Sequence, residues 1–144
     1  MRLVVKGDER ASEQTKSPKE FAKITDGHKK GFFKYASAWS PGEHGVLTIT
    51  FTPIIYIEEG VKGSELQDVK RHEQRHYADF KHLAAALRQN MGSWLHSRKS
   101  AEEDEIQAWL TWLDYDYCVA SANFHRSIDA NVELCLQPST PRPK

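Results

Sequence analysis

The stretch from Lys70 to Phe80 constrains the chain most strongly, because its residue pattern fits a helix with an unusual inner face. At about 100° per residue, His72 and His76 lie on one side of such a helix. They share that side with apolar residues, namely Val69, Phe80, Leu83 and Leu87. The opposite side carries the basic residues, and Glu73 lies at the edge of the inner face. The sequence therefore predicts an amphipathic helix that buries two imidazoles.

These residues form the pattern His72-Glu73-x-x-His76. Two histidines one helical turn apart can bind one Zn²⁺, and the adjacent carboxylate can reach water on that metal. Burial of two imidazoles and a carboxylate is costly unless each finds a partner, and a metal supplies one. The alternative interpretation is a pair of hydrogen-bonded core histidines. At this point the sequence resembles the zincin metallopeptidases. The resemblance implies a zinc-dependent peptidase that acts on peptides or proteins, with Glu73 as general base.

The resemblance also implies a third protein ligand, for which two residues compete. Glu105 begins an E-x-x-A segment that resembles the ligand helix of the gluzincin branch. His82 has the spacing of the metzincin branch, but Asp79 stands where that branch has glycine. Without glycine the helix is expected to continue, and it then carries His82 away from the other two histidines. We therefore favour Glu105, with His82 as the alternative.

Zincins also stabilise the oxyanion with a Tyr or His from elsewhere in the chain. The candidates for that role are Tyr77, Tyr115, Tyr117 and His125. The sequence does not choose among them. Asp79, on the histidine side of the helix, is a candidate for orienting a ligand imidazole.

The predicted fold class is α+β, with a small antiparallel sheet. The aromatic segment 31–39 and the alternating segment 46–57 form a hairpin around the turn at 40–45. Pro53 suggests that the second strand lies at an edge of the sheet, because proline donates no ladder hydrogen bond. Zincins place such an edge strand beside the active-site helix, where extended substrate pairs with it. Leu3-Val4-Val5 is a candidate short strand, and residues 7–30 look like loop with a short helix at 18–24.

Two long helices are predicted to pack on this sheet. The first spans about 64–89, from a capping box at Ser64 to stop signals at Asn90 and Gly92. Residues 90–99 then form a polar linker. The second spans about 101–122 or beyond, towards Glu133, after a second capping box at Ser100. Residues 1–136 are expected to form a single domain, with residues 137–144 as a disordered proline-rich tail.

The composition of the chain limits the classes of partner that are expected. The 20 basic and 20 acidic residues balance, so broad attraction to nucleic acid or membranes is not indicated. There is no apolar run near the roughly 20 residues that span a bilayer. The short apolar start is too brief for a signal-peptide core, so the cytoplasm is the default location, and export without a cleaved signal stays open. Cys118 and Cys135 are expected to be ordinary thiols, because a domain of this size does not need the disulfide that they could form.

A function of another class remains open. The chain could be a non-catalytic protein-binding module with a relict or structural metal site. A metal hydrolase that acts on a non-peptide bond is a third alternative. The sequence does not predict the substrate or the oligomeric state.

Overall fold

The structure is a computed structural model that describes residues 1–25, 30–128 and 135–144. Within these ranges the chain forms four strands and three helices, in the following order: β1 (Arg2–Lys6), β2 (Ser12–Lys16), α1 (Pro18–Thr25), β3 (Gly31–Pro41), β4 (Val46–Glu58), α2 (Gly63–His96) and α3 (Glu103–Ile128). A short 3-10 turn at Glu43–Gly45 joins β3 to β4.

The sheet is built around β4. Along one edge β4 pairs antiparallel with β3, from Gly31 opposite Ile57 to Pro41 opposite Leu47. Along the other edge it pairs in parallel with β1 through residues 46–50 and with β2 through residues 54–58. The predicted small antiparallel sheet is therefore wrong, although its two hairpin segments do pair antiparallel. The prediction failed because β2, with the sequence SEQTK, is too polar to look like a strand.

Pro53 lies at the break between β1 and β2. Its position on β4 falls between the segments that pair with these two strands, and it faces Tyr35 of β3. The missing N–H of proline is tolerated there because neither parallel strand needs it. The expectation that this strand forms the sheet edge is thus wrong. Beside the break, Gly7 adopts φ +88° and lies against the backbone oxygen of Phe51, where a side chain would clash.

The two long helices pack side by side in opposite directions. Trp94 of α2 stacks near Trp109 of α3, and His76 lies beside His125. Helix α2 continues through Asn90 and Gly92, and the predicted linker at 90–99 is helical up to His96. The reason is burial: Met91 and Leu95 are both 0 % exposed, and they extend the apolar side of the helix. Such packing outweighs the low helix propensity of one glycine.

The predicted caps differ from those observed. The residue that caps α2 is Lys62, which makes no side-chain cap hydrogen bond, so Ser64 does not cap it. At the start of α3 the backbone N–H of Glu102 donates to Glu105 Oε1 at 3.0 Å. The capping interaction is therefore made between Glu102 and Glu105, two residues after the capping box that was predicted to begin at Ser100. The predicted extension of this helix towards Glu133 is described only as far as Ile128, and residues 129–134 lie outside the described residues.

The core lies between the sheet and the helical hairpin. Its most buried large side chains include Leu47, Ile49, Phe51, Ile55, Phe80, Met91 and Leu95. Tyr35 and Phe80 stack with ring centroids 4.4 Å apart and connect the sheet to α2. The sheet and α2 thus form one packed unit. This packing determines how α2 is oriented and therefore where its histidines lie.

The segment at 137–144, predicted to be disordered, instead lies against α3. Trp112 Nε1 donates to the backbone oxygen of Thr140, and Arg142 forms a two-pronged ion pair with Asp116. A disulfide joins Cys118 to Cys135, which corrects the expectation of two ordinary thiols. In the described ranges, no helix has the length and apolar character needed to cross a membrane.

Candidate metal centre

Helix α2 brings His72, Glu73 and His76 together as their spacing predicts. The Nε2 atoms of the two histidines are 3.1 Å apart. The side chain of His76 is 4 % exposed, whereas His72 is half-buried. The start of β3 comes very close to this turn, because a Cβ on Gly31 would lie 3.0 Å from Glu73 Cγ. Glycine at that position lets the sheet close over the carboxylate.

A third imidazole comes from α3. His125 Nε2 lies 3.2 Å from His76 Nε2, and the three ring nitrogens all lie within 4.8 Å of one another. Ligands at 2.0–2.1 Å from a tetrahedral ion are about 3.3 Å apart, close to the two short separations. Three histidines therefore lie close enough to bind one metal ion, and two of their three separations are close to those of a tetrahedral site.

The electrostatic setting of the imidazoles favours this use. Burial, and secondly the nearby His125, lower the pKa of His72 below its ordinary value. The neutral form of the ring is thereby favoured, and that is the form that binds metals. Imidazole ligands suit zinc, copper, iron and nickel, so the donor set alone does not identify the metal.

Glu73 is buried beside the cluster. It is 4 % exposed, and its Oε1 lies 3.7 Å from His72 Nε2. Its other oxygen, Oε2, has no hydrogen-bond partner among the described residues. Burial raises the pKa of Glu73 to about 8. An ionisable group buried with an unused oxygen is costly for stability and is typical of functional sites.

Aromatic rings wall the cluster. The Phe124 ring lies 5.0 Å from the His72 ring and 5.2 Å from the His76 ring, between centroids. The guanidinium of Arg75 stacks over Phe124 at 5.0 Å. The Tyr117 ring lies 6.5 Å from that of His76, on the side of the sheet. This wall limits the rotamers of the imidazoles and covers part of the site with apolar surface.

The structure does not bring Glu105, the expected third ligand, to this cluster. Its carboxylate accepts a hydrogen bond from Arg98 Nη2 at 2.7 Å and caps α3. It lies twenty positions before His125 in the same helix, a distance of about 30 Å along the axis. His82 does not join the cluster either, because α2 continues unbroken and leaves its side chain exposed.

From the sequence, His125 is a candidate only for the oxyanion donor, whereas the structure places its imidazole beside those of His72 and His76. Of the other candidates for that donor, Tyr77 donates its hydroxyl to the backbone oxygen of Asp8, and Tyr115 packs on Trp112. Tyr117 alone of these tyrosines has a ring contact with a histidine of the cluster in the described residues. Asp79 accepts a hydrogen bond from Arg75 at 3.4 Å.

Comparisons of the chain with protein-family models, with curated proteins and with solved structures found no match. A function can therefore be inferred only from the geometry of the three histidines and Glu73.

Proposed function

We propose that this protein is a zinc-dependent peptidase in which His72, His76 and His125 bind the metal and Glu73 is the general base. The observation that carries the proposal is the buried carboxylate oxygen of Glu73 beside three converging imidazoles. A helix that only needed a core would not place such a group there, because an apolar side chain of that size costs less to bury.

The protein residues divide the chemistry as follows. Zinc, when bound by the three imidazoles, supplies a Lewis acid that acidifies water and polarises a carbonyl. Glu73 accepts a proton from the attacking water at its carboxylate and returns it to the leaving amine. The Phe124 wall and the close approach of Gly31 keep bulk water away from the carboxylate, which strengthens its electrostatic interactions.

The open ligand position favours catalysis over a structural metal. Structural zinc sites are almost always closed by four protein ligands, whereas catalytic sites use three and leave one position for water. In the ranges that the structure describes, the cluster has three. This difference is the reason for preferring an enzyme to the binding module that the sequence left open.

The sheet supports a peptide as substrate. Strand β3 pairs with β4 along one edge, and no strand of the described residues pairs with its other edge. The first residue of β3, Gly31, lies next to Glu73, because an added Cβ at Gly31 would be 3.0 Å from Glu73 Cγ. An extended peptide that adds to this free edge would run towards the carboxylate, and strand addition is a common mode of peptide recognition.

The disulfide affects where the protein is proposed to act. Disulfides form and persist in oxidising compartments and are rare in the reducing cytosol. The bond between Cys118 and Cys135 therefore favours an oxidising compartment, in place of the cytoplasm that was the default expectation from the sequence.

The test is digestion of unfolded protein substrates by the zinc-loaded protein, with new termini detected by mass spectrometry. We expect cleavage by the wild type and a loss of about 10²–10⁴-fold in Glu73→Gln, which retains its zinc. Glu103→Gln, at an exposed carboxylate on α3, is the matched control and should cleave normally. Equal cleavage by wild type and Glu73→Gln, or zinc binding without any cleavage, would contradict the proposal.

A further inference from the structure

His125 is supplied by the less buried half of α3. The first half of that helix is anchored in the core through Ile106, Leu110 and Leu113, which are 2 %, 2 % and 5 % exposed. From residue 114 to residue 120 every side chain is exposed or only half-buried. Burial resumes with two small side chains, Ser121 and Ala122. The third imidazole thus lies about 18 Å along the helix beyond its last large buried side chain.

A covalent bond adds to the contacts that hold this half of α3, which include the hydrogen bond from Tyr35 to Asp114 and the ring contacts of Tyr117 with Phe33 and Tyr35. Cys118, in the half-buried stretch, is joined to Cys135, and their Cα atoms are 5.8 Å apart. His125 lies in the sequence between them, so the ligand belongs to a covalently closed loop. The two imidazoles of α2, in contrast, are fixed by one turn of a helix packed on the sheet.

The polypeptide after Cys135 is held on α3 as well. Trp112 Nε1 donates to the backbone oxygen of Thr140 at 2.9 Å. Arg142 bonds both oxygens of Asp116, at 2.8 and 2.9 Å, and its guanidinium lies 4.2 Å over the Trp112 ring. These contacts fix the partner side of the disulfide to the core-anchored part of α3. Covalent and non-covalent links therefore hold both Cys118 and the segment after Cys135 in place.

We propose that the Cys118–Cys135 disulfide sets the metal affinity of the three-histidine site, so that thiol reductants weaken metal binding through His125. In the step concerned, a dithiol gives two electrons and two protons to the disulfide. The S–S bond breaks, both cysteines become thiols, and the dithiol is oxidised to its own disulfide. The inference rests on the metal-binding half of the proposed function and does not require peptidase activity.

The physical reason is the ordering cost of the third ligand. A ligand that must be ordered when the metal arrives reduces the net free energy of binding. Closing a loop of this length removes chain entropy in advance, by the same argument that explains disulfide stabilisation. His72 and His76 need no such help, because neighbouring turns of α2 already place them. The effect of the disulfide should consequently appear only when His125 is present.

The experiment compares zinc dissociation constants, measured by competition with a chromophoric chelator, for the oxidised wild type and for Cys118→Ser/Cys135→Ser. Serine removes the bond without leaving thiols that bind zinc themselves. We expect the zinc dissociation constant of the double variant to be higher by about tenfold or more. If that variant does not fold, as judged by circular dichroism, the apolar pair Cys118→Ala/Cys135→Val replaces it.

The same comparison in a His125→Ala background separates a specific effect from a general loss of stability. There we expect equal, weak zinc binding with and without the disulfide. An equal loss in both backgrounds would overturn the inference, as would unchanged affinity in the double variant with His125 in place. If the oxidised wild type binds no zinc, the proposed function itself fails, which is a different outcome from either of these.

Discussion

The two ends of the α2–α3 hairpin bury different kinds of side chain. Near the connection the buried groups are mainly apolar, with one buried polar atom, Trp109 Nε1, that has no partner among the described residues. At the end that carries His72, His76 and His125, here called the metal end, ionisable groups are buried. Leu95 and Ile106 are 0 % and 2 % exposed near the connection, where Arg98 pairs with Glu105. At the other end, His76 and Glu73 are each 4 % exposed, and Glu73 keeps an unused oxygen. The same two helices thus pack apolar side chains at one end and bury ionisable side chains at the other.

This difference follows a general trade-off between stability and function. A buried, unpaired polar group costs folding free energy, and natural proteins retain such groups mainly where activity requires them. The connection end should therefore tolerate few changes without loss of stability. The metal end should gain stability from changes that abolish its chemistry.

The largest expected effect on stability is at the connection end. Leu95→Ala removes a fully buried side chain, and we expect it to lower the free energy of unfolding by about 2–5 kcal/mol in urea denaturation. Leu136→Ala, at a side chain that is 88 % exposed, is the matched control and should change it by less than about 0.5 kcal/mol. The folded fraction of Leu95→Ala should still bind zinc. Loss of the metal from folded molecules would show that the two ends are not separate.

The reverse change is expected at the metal end. Glu73→Leu replaces a buried carboxylate with an apolar side chain, and the metal-free protein should become more stable by about 1–3 kcal/mol. Gln74→Leu, at the exposed neighbouring position, controls for helix propensity and should have little effect. Both variants are compared in a chelator by thermal and urea unfolding. A destabilised Glu73→Leu would mean that the carboxylate is structural.

Gly31 tests the contact between the sheet and the metal end. In Gly31→Ala the new Cβ would lie 2.5 Å from Val69 Cγ1 and 3.0 Å from Glu73 Cγ, so these side chains must move. We expect a loss of about 1–3 kcal/mol in stability, peptidase activity reduced more than the zinc content, and no loss of helix. Gly92→Ala in α2, with open space around the added methyl group, should be neutral or stabilising. Full activity in Gly31→Ala would separate β3 from the site.

The smallest expected effect concerns the ion pair at the connection. The side chains of Arg98 and Glu105 are 36 % and 35 % exposed. Glu105→Gln should therefore cost at most about 1 kcal/mol in unfolding free energy, and less in high salt. A loss of several kcal/mol, measured by urea denaturation at low and high salt, would show that the connection depends on this charge.

The difference between local and long-range contacts also explains which features could be predicted from the sequence. One helical turn brings His72, Glu73 and His76 together, so their proximity can be predicted from the spacing of these residues in the sequence. The proximity of His125 to these residues depends on how two helices pair. His76 lies twenty positions before the end of α2 and His125 lies twenty-two positions after the start of α3. In an antiparallel hairpin with a short connection, positions equally far from the connection face each other.

The sequence does not predict this pairing, because its stop signals predict that the first helix ends near Gln89 rather than at His96. With that end and a linker at 90–99, the pairing of the two helices cannot be predicted, and Glu105 is favoured for its E-x-x-A segment. The prediction of a small antiparallel sheet is wrong for a similar reason. The polar β2 forms a strand because it pairs with β4, and not because its own residues favour one. Both errors concern long-range contacts, which override local propensity.

The most direct test of the three-histidine centre is the zinc content of untagged protein, measured by mass spectrometry. The variants compared are His125→Ala, Glu105→Ala and His96→Ala. His96 is exposed at the end of α2 and controls for loss of any histidine. We expect about one zinc per chain in the wild type and in both controls, and strongly reduced zinc in His125→Ala. Zinc retained in His125→Ala and lost in Glu105→Ala would contradict the three-histidine centre.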